Sequence, residues 1–135
     1  MPEAEPTTAV RMTRGNELPW SDHRSGMRIQ FGVSEELCGS QAVFMTRQVI
    51  PPGMASTPHM HTNCETAMFI LRGPVVMRHG DRLQHEHRAE KGDFMYIPAN
   101  ALHQAVNPSA SDDAEVVLCR NAAEEIVREV EVDRA

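Results

Sequence analysis

From Gly26 onward the chain breaks into short apolar runs separated by turn-forming clusters. The runs are Met27–Val33, Ala42–Ile50, Thr66–Leu71, Val75–Arg78, Leu83–Ala89, Asp93–Ile97, Leu102–Asn107 and Glu115–Arg120. Between them stand Pro51-Pro52-Gly53, Gly73-Pro74, Gly80-Asp81, Lys91-Gly92-Asp93, Pro98-Ala99-Asn100 and Asn107-Pro108-Ser109. Runs of this length, punctuated this often, predict an all-β sandwich or barrel. Gly80-Asp81 between two such runs predicts a hairpin, and the prolines exclude a long helix. Residues 1–26 carry no apolar periodicity and are expected to form an irregular arm ahead of a single barrel over residues 27–135. In the last segment Glu124 and Glu125 could open a short helix. The alternation Val130-Glu131-Val132 favours an extended edge strand, which we adopt.

Composition narrows the class. A chain of 135 residues is one domain's worth, and domains near this size bury roughly 68–70% of their unfolded surface, enough for a real core. With 13 Lys+Arg against 19 Asp+Glu the net charge is −6. That balance gives no electrostatic footprint for nucleic acid or for anionic lipid. Cys38, Cys64 and Cys119 are too few, and odd in number, for a disulfide scaffold. The first eight residues show no signal-peptide pattern and no run is long enough to span a membrane. The expectation is a reduced, cytoplasmic protein with a small-molecule partner.

The chemistry concentrates in Gly53-Met54-Ala55-Ser56-Thr57-Pro58-His59-Met60-His61-Thr62-Asn63-Cys64-Glu65. On an extended strand His59 and His61 project to the same side, and a four-residue step is expected to return Glu65 near that face. Two imidazoles and a carboxylate are the ingredients of a facial metal site. A second stretch, Gly92 to Asn107, reads strand, tight turn, strand and sets His103 just after the turn.

Together the two stretches resemble the cupin superfamily. Gly53, His59, His61 and Glu65 match its first motif in register, with Gly73 one residue late. Gly92, Pro98, His103 and Asn107 match the second, with Asn100 in place of the middle glycine. Asn is the next most tolerant residue for a left-handed turn position. The resemblance implies a double-stranded β-helix (jelly-roll) barrel. It further implies that His59, His61, Glu65 and His103 bind one divalent transition metal. Iron or manganese is favoured, and zinc, nickel or copper suit the same donors; a metal-free relative is the alternative. The function expected first is an oxygen-activating, dioxygenase-like oxidoreductase in which Glu65 is part ligand and part general base. The alternatives are a non-redox cyclase, isomerase or decarboxylase, and a ligand-binding module without turnover.

Weaker signals surround this core. His85-Glu86-His87 is a second His-x-His, read as a solvated strand face. Cys64 is read as a packed thiol and the many methionines as core filling. Arg47, Gln48 and Tyr96 are candidates for substrate contact if they face inward, with Tyr96 as a hydrogen-bond donor in catalysis. Counting alternation from Glu65 turns Ala67, Phe69 and Leu71 inward and Met68 and Ile70 outward. That outward apolar row, with the family's habit, predicts a homodimer.

Overall fold

The computed structural model describes residues 8–23 and 26–133, and over these the chain forms eleven strands in two antiparallel sheets. The first sheet runs β1 (Ser21–Asp22), β2 (Arg28–Val33), β3 (Phe44–Ile50), β10 (Ala114–Arg120), β5 (Thr66–Arg72), β8 (Phe94–Ile97). The second runs β11 (Val127–Glu129), β4 (His59–His61), β9 (His103–Val106), β6 (Val75–His79), β7 (His85–Ala89). From β3 onward the chain crosses between the sheets at every step except the β6–β7 hairpin, which is the jelly-roll arrangement expected from the sequence. Each predicted apolar run holds one strand; the terminal segment holds an edge strand, β11, paired with β4, but over Val127–Glu129 rather than over the Val130-Glu131-Val132 alternation. A one-turn helix, Glu35–Cys38, is capped by the Ser34 side chain, which accepts from Leu37 N.

The arm expected over residues 1–26 lies partly outside the described residues. What is described of it joins the barrel: Ser21 and Asp22 pair with β2, and Gln30 Nε2 donates to Gly15 O at 2.6 Å. The six-stranded sheet therefore begins ahead of residue 27. Among the described residues no helix is long and apolar enough to cross a membrane.

The core lies between the sheets, where Ile50, Ile70, Val75 and Val116 are at most 1% exposed. β5 corrects one expectation. Thr66, Met68 and Ile70 are its buried residues, while Ala67 and Leu71 are exposed and Phe69 is half-buried. The strand is apolar on both faces, so hydrophobicity alone does not fix its phase, and a one-residue slip flips every side chain. The bends at residues 62–63 reset the parity between β4 and β5, so counting from the histidines fails.

Two turn residues tie the sheets to the site. Asn100 takes φ 63°, the left-handed conformation for which it substitutes glycine, and its N–H donates to His61 O at 2.8 Å. Asn107, fully buried, donates from Nδ2 to Ile50 O and to Asp112 O, both at 2.8 Å, and accepts from Ser109 N at 3.0 Å. It satisfies three backbone groups that a loop crossing between sheets would otherwise leave stranded.

Candidate metal centre

His59 and His61 lie two apart on β4, and the antiparallel register sets His59 directly opposite His103 on β9. Directly paired residues share a face, so all three rings enter the barrel. Each offers a ring nitrogen within 4.8 Å of those of the other two. His61 and His103 are buried and His59 half-buried.

In two of the three rings the other nitrogen is hydrogen-bonded. His59 Nδ1 donates to Thr57 O at 2.6 Å and His103 Nδ1 to Ala101 O at 2.8 Å. His61 Nδ1 lies 3.1 Å from Glu125 Oε2, close but off the line of a well-formed hydrogen bond. A carbonyl only accepts, so it fixes the proton on Nδ1 and leaves Nε2 as the lone-pair donor, the arrangement that orients metal-binding imidazoles. Burial lowers the pKa of His103 to about 3, assisted by the neighbouring His59 and opposed by the Ala101 carbonyl. Burial lowers His59 as well, with His61 adding to it against the Thr57 carbonyl. His59 and His103, neutral and with Nδ1 hydrogen-bonded, fit a divalent transition metal together with the His61 ring beside them.

Glu65 and Tyr96, expected at this centre, stand elsewhere. The inward parity of β5 belongs to Thr66 and Met68, so Glu65 projects to the outer face. There Tyr96 Oη donates to Glu65 Oε1 at 2.5 Å and Asn121 Nδ2 donates to Oε2 at 3.1 Å. Tyr96 is 61% exposed because its neighbour Ile97 takes the inward position on β8. The hydrogen bond to the Glu65 carboxylate raises the tyrosine pKa, with desolvation adding to it. Neither group reaches the histidines.

The carboxylate that does reach them is Glu125, which no motif marks. It comes from the segment between β10 and β11, and its Oε2 lies between His61 Nδ1 and Arg120 Nε, the latter at 3.4 Å. Burial alone would raise its pKa, but the His61 ring and the Arg120 guanidinium outweigh that and hold it below the usual value. A readable signal existed: Arg120 continues the inward parity of Ala114, Val116 and Leu118, and a cation at a buried position calls for an anion nearby. The three rings, Arg120 and Glu125 line a cavity of about 140 Å³ whose apolar wall includes Met27, Met68, Met77, Ile97 and Leu118.

The remaining candidates sort by parity. Gln48 lines the cavity, whereas Arg47 faces outward to Glu115 and stacks on Trp20. Cys64 is a packed thiol, 3% exposed, its pKa raised by burial. His85 and His87 are exposed on β7, as expected, but they are not isolated: His79 stacks within 5.0 Å of His87 and 5.2 Å of His85. The register His59↔His103, His103↔His79, His79↔His85 runs a row of histidines across four strands on one sheet face.

The chain spans most of several solved structures at low identity, which shows a shared fold. It is similar to the polyketide cyclase RemF from Streptomyces resistomycificus, with TM-score 0.78, 15% identity, and coverage of 93% of this chain and 88% of that one. An RmlC-like cupin from Shewanella frigidimarina gives TM-score 0.71 at 14% identity, covering 86% and 94%. A recombinant oxalate oxidase in complex with glycolate gives 0.74 at 14%, covering 93% and 68%. No protein of curated function matches by sequence. The family model described as the cupin domain matches residues 46–119, more than half of the sequence. Its span holds both histidine stretches and the strands that carry them, and the chain belongs to the cupin family.

Proposed function

We propose that the chain is a metal-dependent enzyme that acts without net oxidation on a small molecule, as a cyclase, isomerase or decarboxylase does. The observation that carries this reading is the donor set: His59, His61 and His103 stand together, and Glu65 is turned away from them. Two imidazoles with a carboxylate are the set that accompanies oxygen activation at non-haem iron. Three imidazole ligands, with no carboxylate among them, leave more of a metal's positive charge uncompensated. A divalent metal bound there supplies Lewis-acid polarisation of a substrate carbonyl or enol oxygen.

The chain's own residues do the rest. Glu125 faces His61 Nδ1 and favours the tautomer that presents Nε2. Met27, Met68, Met77, Ile97 and Leu118 exclude water from the reacting group and strengthen each polar contact made there. Gln48 adds an amide to the lining. The cavity volume, about 140 Å³, is close to that of an engineered cavity of roughly 150 Å³ that accepts benzene. It suits a substrate of a few carbons or one end of a longer one. The reading includes a homodimer, supported by the outer face of the first sheet, where Phe94 is 82% exposed. A monomer by light scattering would contradict that part.

The likeness in fold to oxalate oxidases favours a second reading, the oxygen-using enzyme. One experiment separates the two. Metal-free protein is reloaded with Zn²⁺ or Ni²⁺, or with Fe²⁺ or Mn²⁺, and proton exchange at the central carbon of 1,3-dicarbonyl compounds is followed in D₂O by NMR without oxygen. Exchange with zinc or nickel supports the proposal. No exchange with any metal, together with turnover in a parallel aerated assay that needs iron or manganese and consumes oxygen, establishes the second reading instead.

A further inference from the structure

Arg120 ends β10 on the buried parity and is 7% exposed. A guanidinium that far from water needs its donors matched. Among the described residues the carboxylate paired with it is Glu125, whose Oε2 lies 3.4 Å from Nε and is shared with His61. Buried Nε and Nη1 are both without a well-formed hydrogen bond. One side of the group is closed by the Phe44 ring, 5.7 Å from Cζ. The cavity that Arg120 lines is the one that holds His59, His61 and His103. Among the described residues lining it, Arg120 is the only arginine or lysine, and Glu125 and Glu129 are the only acids.

A planar fork of donors matches a carboxylate with two parallel bonds, which a point charge does not. Nη1, one end of such a fork, is unmatched beside the rings that would hold the metal. We propose that Arg120 is the subsite for an anionic group of the substrate, which makes the substrate a small organic acid. The proposal rests on the metal-dependent reading above and names its substrate class. Glu125 then has two tasks: it orients His61 and its charge keeps the guanidinium beside the cavity, leaving Nη1 to the ligand.

The probe is glycolate, with neutral glycolamide as its isostere, titrated calorimetrically at pH 8, above the ordinary imidazole range. Metal-free and zinc-loaded protein are compared for wild type, Arg120→Gln and Arg120→Lys. Metal-free wild type is expected to prefer glycolate to glycolamide by about tenfold or more, since charge-assisted hydrogen bonds carry the difference. Arg120→Gln is expected to weaken glycolate by about 10- to 100-fold and glycolamide hardly at all, with Arg120→Lys in between. Equal affinity for the two probes in metal-free wild type, or no glycolate binding to either form, overturns the proposal. That comparison needs no variant and stands even if Arg120→Gln does not fold. Glycolate binding that needs zinc but ignores Arg120→Gln removes the subsite and leaves the metal reading intact. Binding that falls in Arg120→Gln but is the same with and without zinc keeps the subsite and removes the metal reading.

Discussion

Replacing the two candidate carboxylates one at a time should give opposite results. Glu65 bonds Tyr96 and Asn121 on the outer face, so Glu65→Ala removes nothing from the metal centre. Glu125 touches His61 Nδ1 and Arg120 Nε, so Glu125→Ala strips the orienting partner from one ring and the counter-charge from a buried guanidinium. Loss of such an orienting partner typically costs about 10–100-fold in metal affinity, or about 1.4–2.7 kcal/mol. The Glu125 side chain is 33% exposed, which screens its field and favours the lower half of that range. Glu125→Gln keeps an oxygen for His61 but not the charge, and falls between. The assay is competition for Zn²⁺ or Co²⁺ against a chromophoric chelator, with a thermal melt of each metal-free variant to separate affinity from unfolding. Wild-type affinity in Glu125→Ala together with lost affinity in Glu65→Ala would refute the assignment and return Glu65 to the metal.

Further expectations follow from the same contacts. Asn107→Ala strands Ile50 O, Asp112 O and Ser109 N and should cost about 3 kcal/mol in urea unfolding; a loss within experimental error would show that water replaces the amide. Thr66 is 1% exposed and its Oγ1 has no partner, so Thr66→Val should be neutral or stabilising by up to about 1 kcal/mol, and a clear loss in the same assay would reveal a missed partner. The metal-free protein should weaken in acid. The His103 pKa falls from 6.5 in the unfolded chain to about 3 in the native one, so between those values the unfolded state binds the extra proton. Stability is therefore intact above pH 6.5 and declines as pH falls, by up to about 1.4 kcal/mol per pH unit for one such ring. His59 adds in the same direction. Urea unfolding of metal-free wild type and His103→Gln should show a shallower slope in the variant, and equal slopes would contradict the cause.

What the sequence revealed and what it hid have physical reasons. Strands between turns were legible because Pro and Gly clusters punctuate them and each apolar run is too short for a helix. The histidines were legible because their spacing is local: His59 and His61 sit on one strand, and the turn at Asn100 sets His103 just beyond it. Glu65 and Tyr96 were misplaced for one shared reason, the parity of a strand beyond an irregular connection. β5 is apolar on both faces, so nothing in its pattern announced that Thr66 rather than Glu65 turns inward. Gln48 rather than Arg47 reaches the cavity by the same rule of alternation. Glu125 was hidden because its contact with His61 spans 64 positions between separate elements, and such contacts arise from the fold rather than from any spacing.

The central claim is that His59, His61 and His103 hold one transition metal. The most direct test is the zinc content of untagged wild type and of His61→Ala after reloading with Zn²⁺ and removal of excess by gel filtration. About one ion per chain is expected in the wild type, with a large loss in a variant that remains folded. Equal metal in the two proteins, or none in either, would contradict it.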